Sequence, residues 1–210
     1  MTVDAAGNLW AIDQANGNAY AVSTNSGSAL GTYTGGVNGT VTAGAGGMVY
    51  ACNSNQNGYV SLNWNGSTLA SNTFSVSNSR CGALLTVDGA GNLWSFSTIN
   101  SGNSYVLDEV APPASAGGSA TQITPDGGYS GSSAQEVTAT GLNTLNGIAG
   151  VGNGGIAIDG SGNLWFLNGA VDDNGGAFPA NALVEFVGLA APVQTPIAQA
   201  TATGAIGVKP

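Results

Sequence analysis

The sequence predicts an all-β chain folded as a β-propeller. Three observations carry the prediction. A hairpin motif recurs along the chain, its first two intervals have the length of a propeller blade, and no amphipathic helical pattern interrupts the short β-rich segments between copies. Many short strands with regular turns fit a sandwich, a barrel or a propeller; a repeat of this length selects the propeller.

The motif stands clearest in Thr2–Asp13, Thr86–Ser97 and Ala157–Asn168. Each runs Asp-x-x-Gly-Asn-Leu-Trp, flanked by apolar residues. A degenerate copy, Thr42–Asn53, carries Tyr50 where the others carry Trp10, Trp94 and Trp165. The glycines Gly7, Gly47, Gly91 and Gly162 mark the copies, at intervals of 40, 44 and 71 residues. The last interval is one blade with a long insertion, or two blades with one decayed.

Each copy reads as a hairpin. In the last, Gly155–Ile158 forms a short apolar strand that ends at Asp159. Gly supplies a positive φ in the turn, and Asp4, Asp88 and Asp159 are expected to cap their own hairpins by accepting from nearby backbone N–H groups; the alternative, a set of Ca²⁺ sites, meets only one carboxylate per turn where the ion takes six to eight oxygens. The next strand alternates, with Leu164 and Phe166 on one face and Trp165 and Leu167 on the other. Both faces are apolar, as a sheet packed between neighbouring sheets requires. Trp10, Tyr50, Trp94 and Trp165 are therefore expected as equivalent core positions between blades. Outer strands follow at Asn18–Val22, Gly58–Leu62, Ser104–Asp108 and Ala182–Val187. The chain divides into one propeller domain, 1–210, of units near 1–40, 41–84, 85–154 (with the insertion) and 155–210.

The Asp-x-x-Gly-Asn-Leu-Trp signature resembles the NHL-type repeat of bacterial secreted propellers. Asn181–Pro196 resembles the closing blade of such proteins, and Ile123–Gly131 their outer-strand turn. The resemblance implies a propeller of NHL-like blades. Members of that family usually have about six blades, so four visible units imply a compact ring of four or five blades, or an arc cut from a larger propeller. An arc would expose sheet edges, which invite pairing with another copy.

Charge excludes whole classes of function. Only 6% of residues are charged, and the two basic ones, Arg80 and Lys209, face eleven acidic ones for a net charge of −9. Nucleic-acid binding needs several cations against phosphate, and attraction to an anionic membrane surface needs the same. No apolar run reaches the ~18 residues of a membrane helix. Histidine is absent, which removes the usual general base and the commonest metal ligand. Cys52 and Cys81 are too few for a structural zinc site. They read as one disulfide in an oxidising compartment, with two buried free thiols as the alternative. A surface of Ser, Thr, Asn and Gly with almost no Lys points the same way, to a secreted, periplasmic or cell-surface protein. Met1 leads straight into a strand with no signal peptide ahead of it, so a trimmed start or an added Met is expected.

Candidate chemistry is sparse. Gly150–Gly155 fits G-x-G-x-x-G but precedes a strand, so it offers no helix N-terminus to a pyrophosphate. Asp172 and Asp173, with Asn174 and two glycines, form the best local acidic cluster and a candidate Ca²⁺ site, without the spacing of an EF-hand. Asp108, Glu109 and Glu136 raise glycoside hydrolysis, which needs two facing carboxyls. Adjacent strand residues point to opposite faces, so Asp108 and Glu109 do not converge. Trp64 lies outside the repeat in a polar turn and is the candidate ligand-binding aromatic.

Two enzyme families resemble this architecture. Virginiamycin B lyases use a histidine, which this chain lacks. Gluconolactonase-like propellers hold a channel metal with Glu, Asn and Asp, and only three Glu are present here. No catalytic constellation is recognisable, and no cofactor beyond the candidate Ca²⁺ is expected. The expected function is a binding or scaffold module that presents loops to a protein or carbohydrate ligand. The alternatives are a self-assembling structural protein and a metal-dependent lyase or lactonase.

Overall fold

The computed structural model describes residues 1–55, 58–76, 81–82, 84–98, 105–114, 118–124, 128–129, 135–138, 141–144, 155–168 and 182–193. These form four antiparallel sheets, the blades of a β-propeller. Blade 1 holds β1 (Thr2–Val3), β2 (Asn8–Asp13), β3 (Asn18–Ser23) and β4 (Ala29–Tyr33). Blade 2 holds β5 (Val37–Ala43), β6 (Met48–Asn53), β7 (Tyr59–Trp64) and β8 (Leu69–Phe74). Blade 3 holds β9 (Leu85–Val87), β10 (Leu93–Thr98), β11 (Tyr105–Ala111) and β12 (Thr121–Gln122). In each of these blades the strands follow in chain order from the inside outwards.

Blade 4 departs from that order. Its inner strands are β15 (Ile156–Ile158), β16 (Leu164–Asn168) and β17 (Ala182–Phe186). Its outer strands, β13 (Gln135–Thr138) and β14 (Gly141–Thr144), come earlier in the chain, so the sheet runs β14-β13-β17-β16-β15. Part of the segment read from sequence as the third unit's insertion thus belongs to the fourth blade. The physical reason is that β17 presents an edge of unpaired backbone groups, which β13 satisfies by antiparallel pairing.

The motif glycines Gly7, Gly91 and Gly162 adopt φ of 84°, 89° and 83°, the left-handed conformation that lets each inner hairpin reverse. In the degenerate copy a short 3₁₀ turn, Ala45–Gly47, replaces the Asp turn.

The core lies between blades. One cluster joins blades 1 and 2, with Trp10, Ala19 and Ala21 against Val49, Ala51, Val60 and Leu62. A second joins blades 2 and 3 through Tyr50, Tyr59, Phe74, Leu85, Leu93 and Val110. A third joins blades 3 and 4 through Trp94, Phe96, Leu107, Leu164, Phe166, Val184 and Phe186. The Phe96 and Phe166 rings meet there at 4.6 Å between centroids, in a tilted pair. Among the described residues no comparable cluster joins blade 4 to blade 1.

Cys52 and Cys81 form a disulfide across the second interface, 29 residues apart in the chain. It ties β6 to the entry of blade 3. Closing a loop of that size is worth about 3.6 kcal/mol. Among the described residues no helix is long and apolar enough to cross a membrane.

Candidate functional site

Register decides which side chains share a face. On the side of blade 2 that looks toward blade 3, three rungs run across β6, β7 and β8. They are Cys52–Tyr59–Phe74, Tyr50–Ser61–Asn72 and Met48–Asn63–Ala70. The first rung is packed into the core: its disulfide reaches blade 3, and the Tyr59 hydroxyl shares a 2.8 Å hydrogen bond with the Ser95 hydroxyl. The other two rungs open into a groove of about 580 Å³. Its far wall is Gly91 of the β9–β10 turn with Pro112, Pro113 and Ala114 just after β11.

The described lining of this groove carries no charged side chain. Burial raises the Tyr50 phenol above its ordinary value, so it stays neutral. Asn63 donates to the Met48 sulfur at 3.2 Å, and the Ser61 hydroxyl donates to the Asn72 carbonyl at 3.4 Å. What the groove offers is hydroxyl and carboxamide groups beside the apolar surfaces of Met48 and the two prolines. That combination recognises neutral, hydrogen-bonding surface.

The repeated aspartates have a different job. Asp88 Oδ1 accepts from the N–H groups of Ala90 and Asn92 at 2.9 Å each. Its Oδ2 accepts the Trp94 indole N–H at 3.0 Å and the Ala191 N–H of blade 4 at 3.3 Å. Asp4 does the same for Ala6, Asn8 and Trp10, and Asp159 for Ser161, Asn163 and Trp165. One carboxylate thus fastens the turn with one oxygen and the blade's Trp with the other. For Asp4, burial works to raise the carboxyl, but the bonds from Trp10, Asn8 and Ala6 outweigh it and hold the group low. Asp159 is held at about 2, first by the Trp165 indole and then by the Asn163 N–H.

Blade 3 holds further buried acids. Asp108 and Glu109 are both buried, on opposite faces of β11, as alternation requires. Asp108 accepts from the Thr124 hydroxyl at 3.2 Å, and Glu109 from the Asn92 amide at 2.8 Å. Glu109 is pushed above its ordinary value by burial and then by the charge of Asp88, while the Asn92 bond pulls it back in part. Glu136 lies on β13, opposite Val184 of β17 in register. Among the described residues no three His, Cys, Asp or Glu side chains group as metal ligands. Asp172 and Asp173 lie outside the described residues. Trp64 ends β7 and packs, partly buried, against the blade 1–2 cluster; it does not line the groove.

Of the motif aromatics, Trp10 and Trp94 are wholly buried, Tyr50 is nearly so, and Trp165 is half-buried. The groove had no motif to announce it. Its polar residues come from alternate positions of three strands, and only the register brings Tyr50, Ser61 and Asn72 into line.

No protein-family model matches the chain, and no curated protein sequence matches it. Solved structures resemble it in fold. Virginiamycin B lyase from Staphylococcus aureus is 13% identical with a TM-score of 0.48, covering 89% of this chain and 64% of the lyase. A streptogramin B lyase is 16% identical with a TM-score of 0.46, covering 79% of this chain and 60% of the lyase. A catalytically inactive form of the Staphylococcus aureus enzyme, with quinupristin, is 14% identical with a TM-score of 0.48 over the same shares, 89% and 64%. The chain therefore spans less than two thirds of the length of these lyases.

Proposed function

We propose that the chain is an extracytoplasmic binding module built of NHL-like blades, and that the groove between blades 2 and 3 takes a neutral ligand rich in hydroxyl or amide groups. One observation carries this reading. A groove of about 580 Å³ presents Tyr50, Ser61, Asn63 and Asn72 with no charged side chain in its described lining. The disulfide behind the groove holds its two walls at a fixed spacing, which limits the entropy lost on binding. The same disulfide supports a location outside the reducing cytoplasm. A lyase or lactonase reading would need catalytic groups, and the chain has no histidine to supply the usual base.

The test is a titration of the 210-residue chain with a panel of neutral oligosaccharides and uncharged peptides, followed by intrinsic fluorescence and calorimetry. At least one class should bind, and Asn63→Leu should weaken it tenfold or more, the loss of about one buried hydrogen bond. Binding by neither class, or binding that is indifferent to Asn63→Leu, would overturn the reading.

A further inference from the structure

Every interface between blades has two unlike halves. The half that looks forward, to the next blade, carries the motif Trp or Tyr. In blade 3 it is Trp94, Phe96 and Leu107, with Glu109 opposite Trp94 in register. The half that looks back carries the alternate positions, such as Val49, Ala51, Val60 and Leu62 of blade 2. Three forward halves meet three backward halves inside the chain.

Two halves remain. Blade 4 has a forward face of Trp165, Leu167, Leu183 and Glu185, which match Trp94, Phe96, Leu107 and Glu109 position for position in register. The blade 3 trio Trp94, Phe96 and Leu107 is wholly buried, whereas Leu167 is 48% exposed and Leu183 39%. Blade 1 has a backward face of Val3, Leu9, Ala11, Tyr20 and Val22, paired in register as Val3–Leu9–Val22 and Ala11–Tyr20. They match Val49–Leu62 and Ala51–Val60 of blade 2, and Val3 is 53% exposed. Trp165, Leu9, Ala11, Tyr20 and Val22 are half-buried, so both faces are partly exposed, and apolar faces left open to solvent mark association sites.

We propose that the chain joins a second copy of itself head to tail, the forward face of blade 4 on one copy packing against the backward face of blade 1 on the other. The two faces are opposite halves of the interface that already occurs three times within the chain. Each copy carries both, so a second copy is the partner that supplies what each face lacks. Neither face matches itself, which rules against pairing like with like and makes the contact heterologous. Two copies joined at both junctions would make a ring of eight blades, within the range of ~4–8 that propellers use.

The test is sedimentation velocity on the 210-residue chain at high micromolar concentration. The expected species has twice the 20.4 kDa of one chain. Leu167→Asp and Val3→Asp lie at exposed positions, so each variant should fold, with circular dichroism and thermal unfolding as the check; Leu183→Asp is the second blade 4 variant. Each single variant should sediment as a monomer, because both junctions of its own pair are damaged. Mixing Leu167→Asp with Val3→Asp should restore a two-copy species, because one junction then joins two intact faces. A monomeric parent chain, a dimer abolished by altering one of the two faces but kept when the other is altered, or no recovery on mixing would each overturn the proposal. Larger assemblies that obey the same variant pattern would support the contact and show that the ring does not close at two.

Discussion

Asp159 and Glu109 respond to pH in opposite directions, and the cause lies in what surrounds each carboxyl. Asp159 accepts from an indole and two backbone N–H groups, so its charged form is favoured in the folded chain. Its folded value is about 2 against an ordinary 3.8, so its contribution is complete above 3.8 and is lost as pH falls toward 2. Asp4 acts in the same sense. Glu109 is raised above its ordinary 4.5 by burial and by Asp88. Its contribution is complete below 4.5 and is lost as pH climbs through the folded value. Glu109→Gln keeps an acceptor for Asn92 and removes the charge. Its unfolding free energy should equal that of the parent near pH 4 and exceed it at pH 7, measured by urea denaturation at the two values. A variant less stable than the parent at pH 7 would show that ionised Glu109 is worth more to blade 3 than its burial costs. The turn role of the aspartates was legible in the sequence, because Asp before a Gly turn has few other uses. Their second bond, to the Trp indole, was not: it spans six residues and depends on the side chain's path over the hairpin.

At the scale of elements, the hairpins and most strands could be read from alternation and glycine placement, but the partners of the strands could not. The degenerate copy shows why the motif could be traced at all. Tyr50 replaces Trp and a 3₁₀ turn replaces the Asp turn, yet the apolar alternation of Met48–Asn53 still sends Tyr50 toward blade 3. The pairing of β13 with β17 left no such trace, since antiparallel partners share register and not a signature. Contacts between elements are equally silent in sequence. Gly89 reads as an ordinary turn glycine, but the Gly89 N–H donates to the Ala191 carbonyl at 3.1 Å, and a Cβ added there would run into the Pro192 carbonyl. Gly89→Ala should therefore cost about 1–3 kcal/mol, the usual range for overpacking a closed contact. Gly91→Ala, with open space around its Cβ but φ of 89°, should cost about 1 kcal/mol through backbone strain. Chemical denaturation of the two variants separates the causes, and equal losses would mean that the 189–193 segment yields to the added methyl.

At the scale of the molecule, four visible repeat units left open a ring of four or five blades and an arc, and with them the fate of the first and last faces, since Trp165 sits in the same motif as Trp10 and Trp94. Only the structure shows that its surroundings differ. The net charge sets how two such faces should meet. At −9 each, two copies repel over a distance governed by ionic strength. The screening length is ~30 Å at 0.01 M and ~8 Å at 0.15 M, so added salt weakens that repulsion. It leaves apolar contact between Leu167, Leu183 and Trp165 on one face and Val3, Leu9 and Tyr20 on the other essentially untouched. Association between copies should therefore tighten as sodium chloride rises from 0.01 to 0.15 M, read as a shift of the sedimenting species toward the larger form. Ion pairs would give the reverse, because screening would then remove the attraction. Glu185 adds a second handle. It lies on the forward face of blade 4, at the position where Glu109 of blade 3 is met by Asn92, whereas the Asn163 amide of blade 4 donates to Asp159 and its oxygen accepts from the Gly188 N–H. Burying Glu185 as an ion would cost it its hydration, so Glu185→Gln should strengthen the association at neutral pH. Unchanged association in that variant would place Glu185 at the wet rim of the contact rather than inside it.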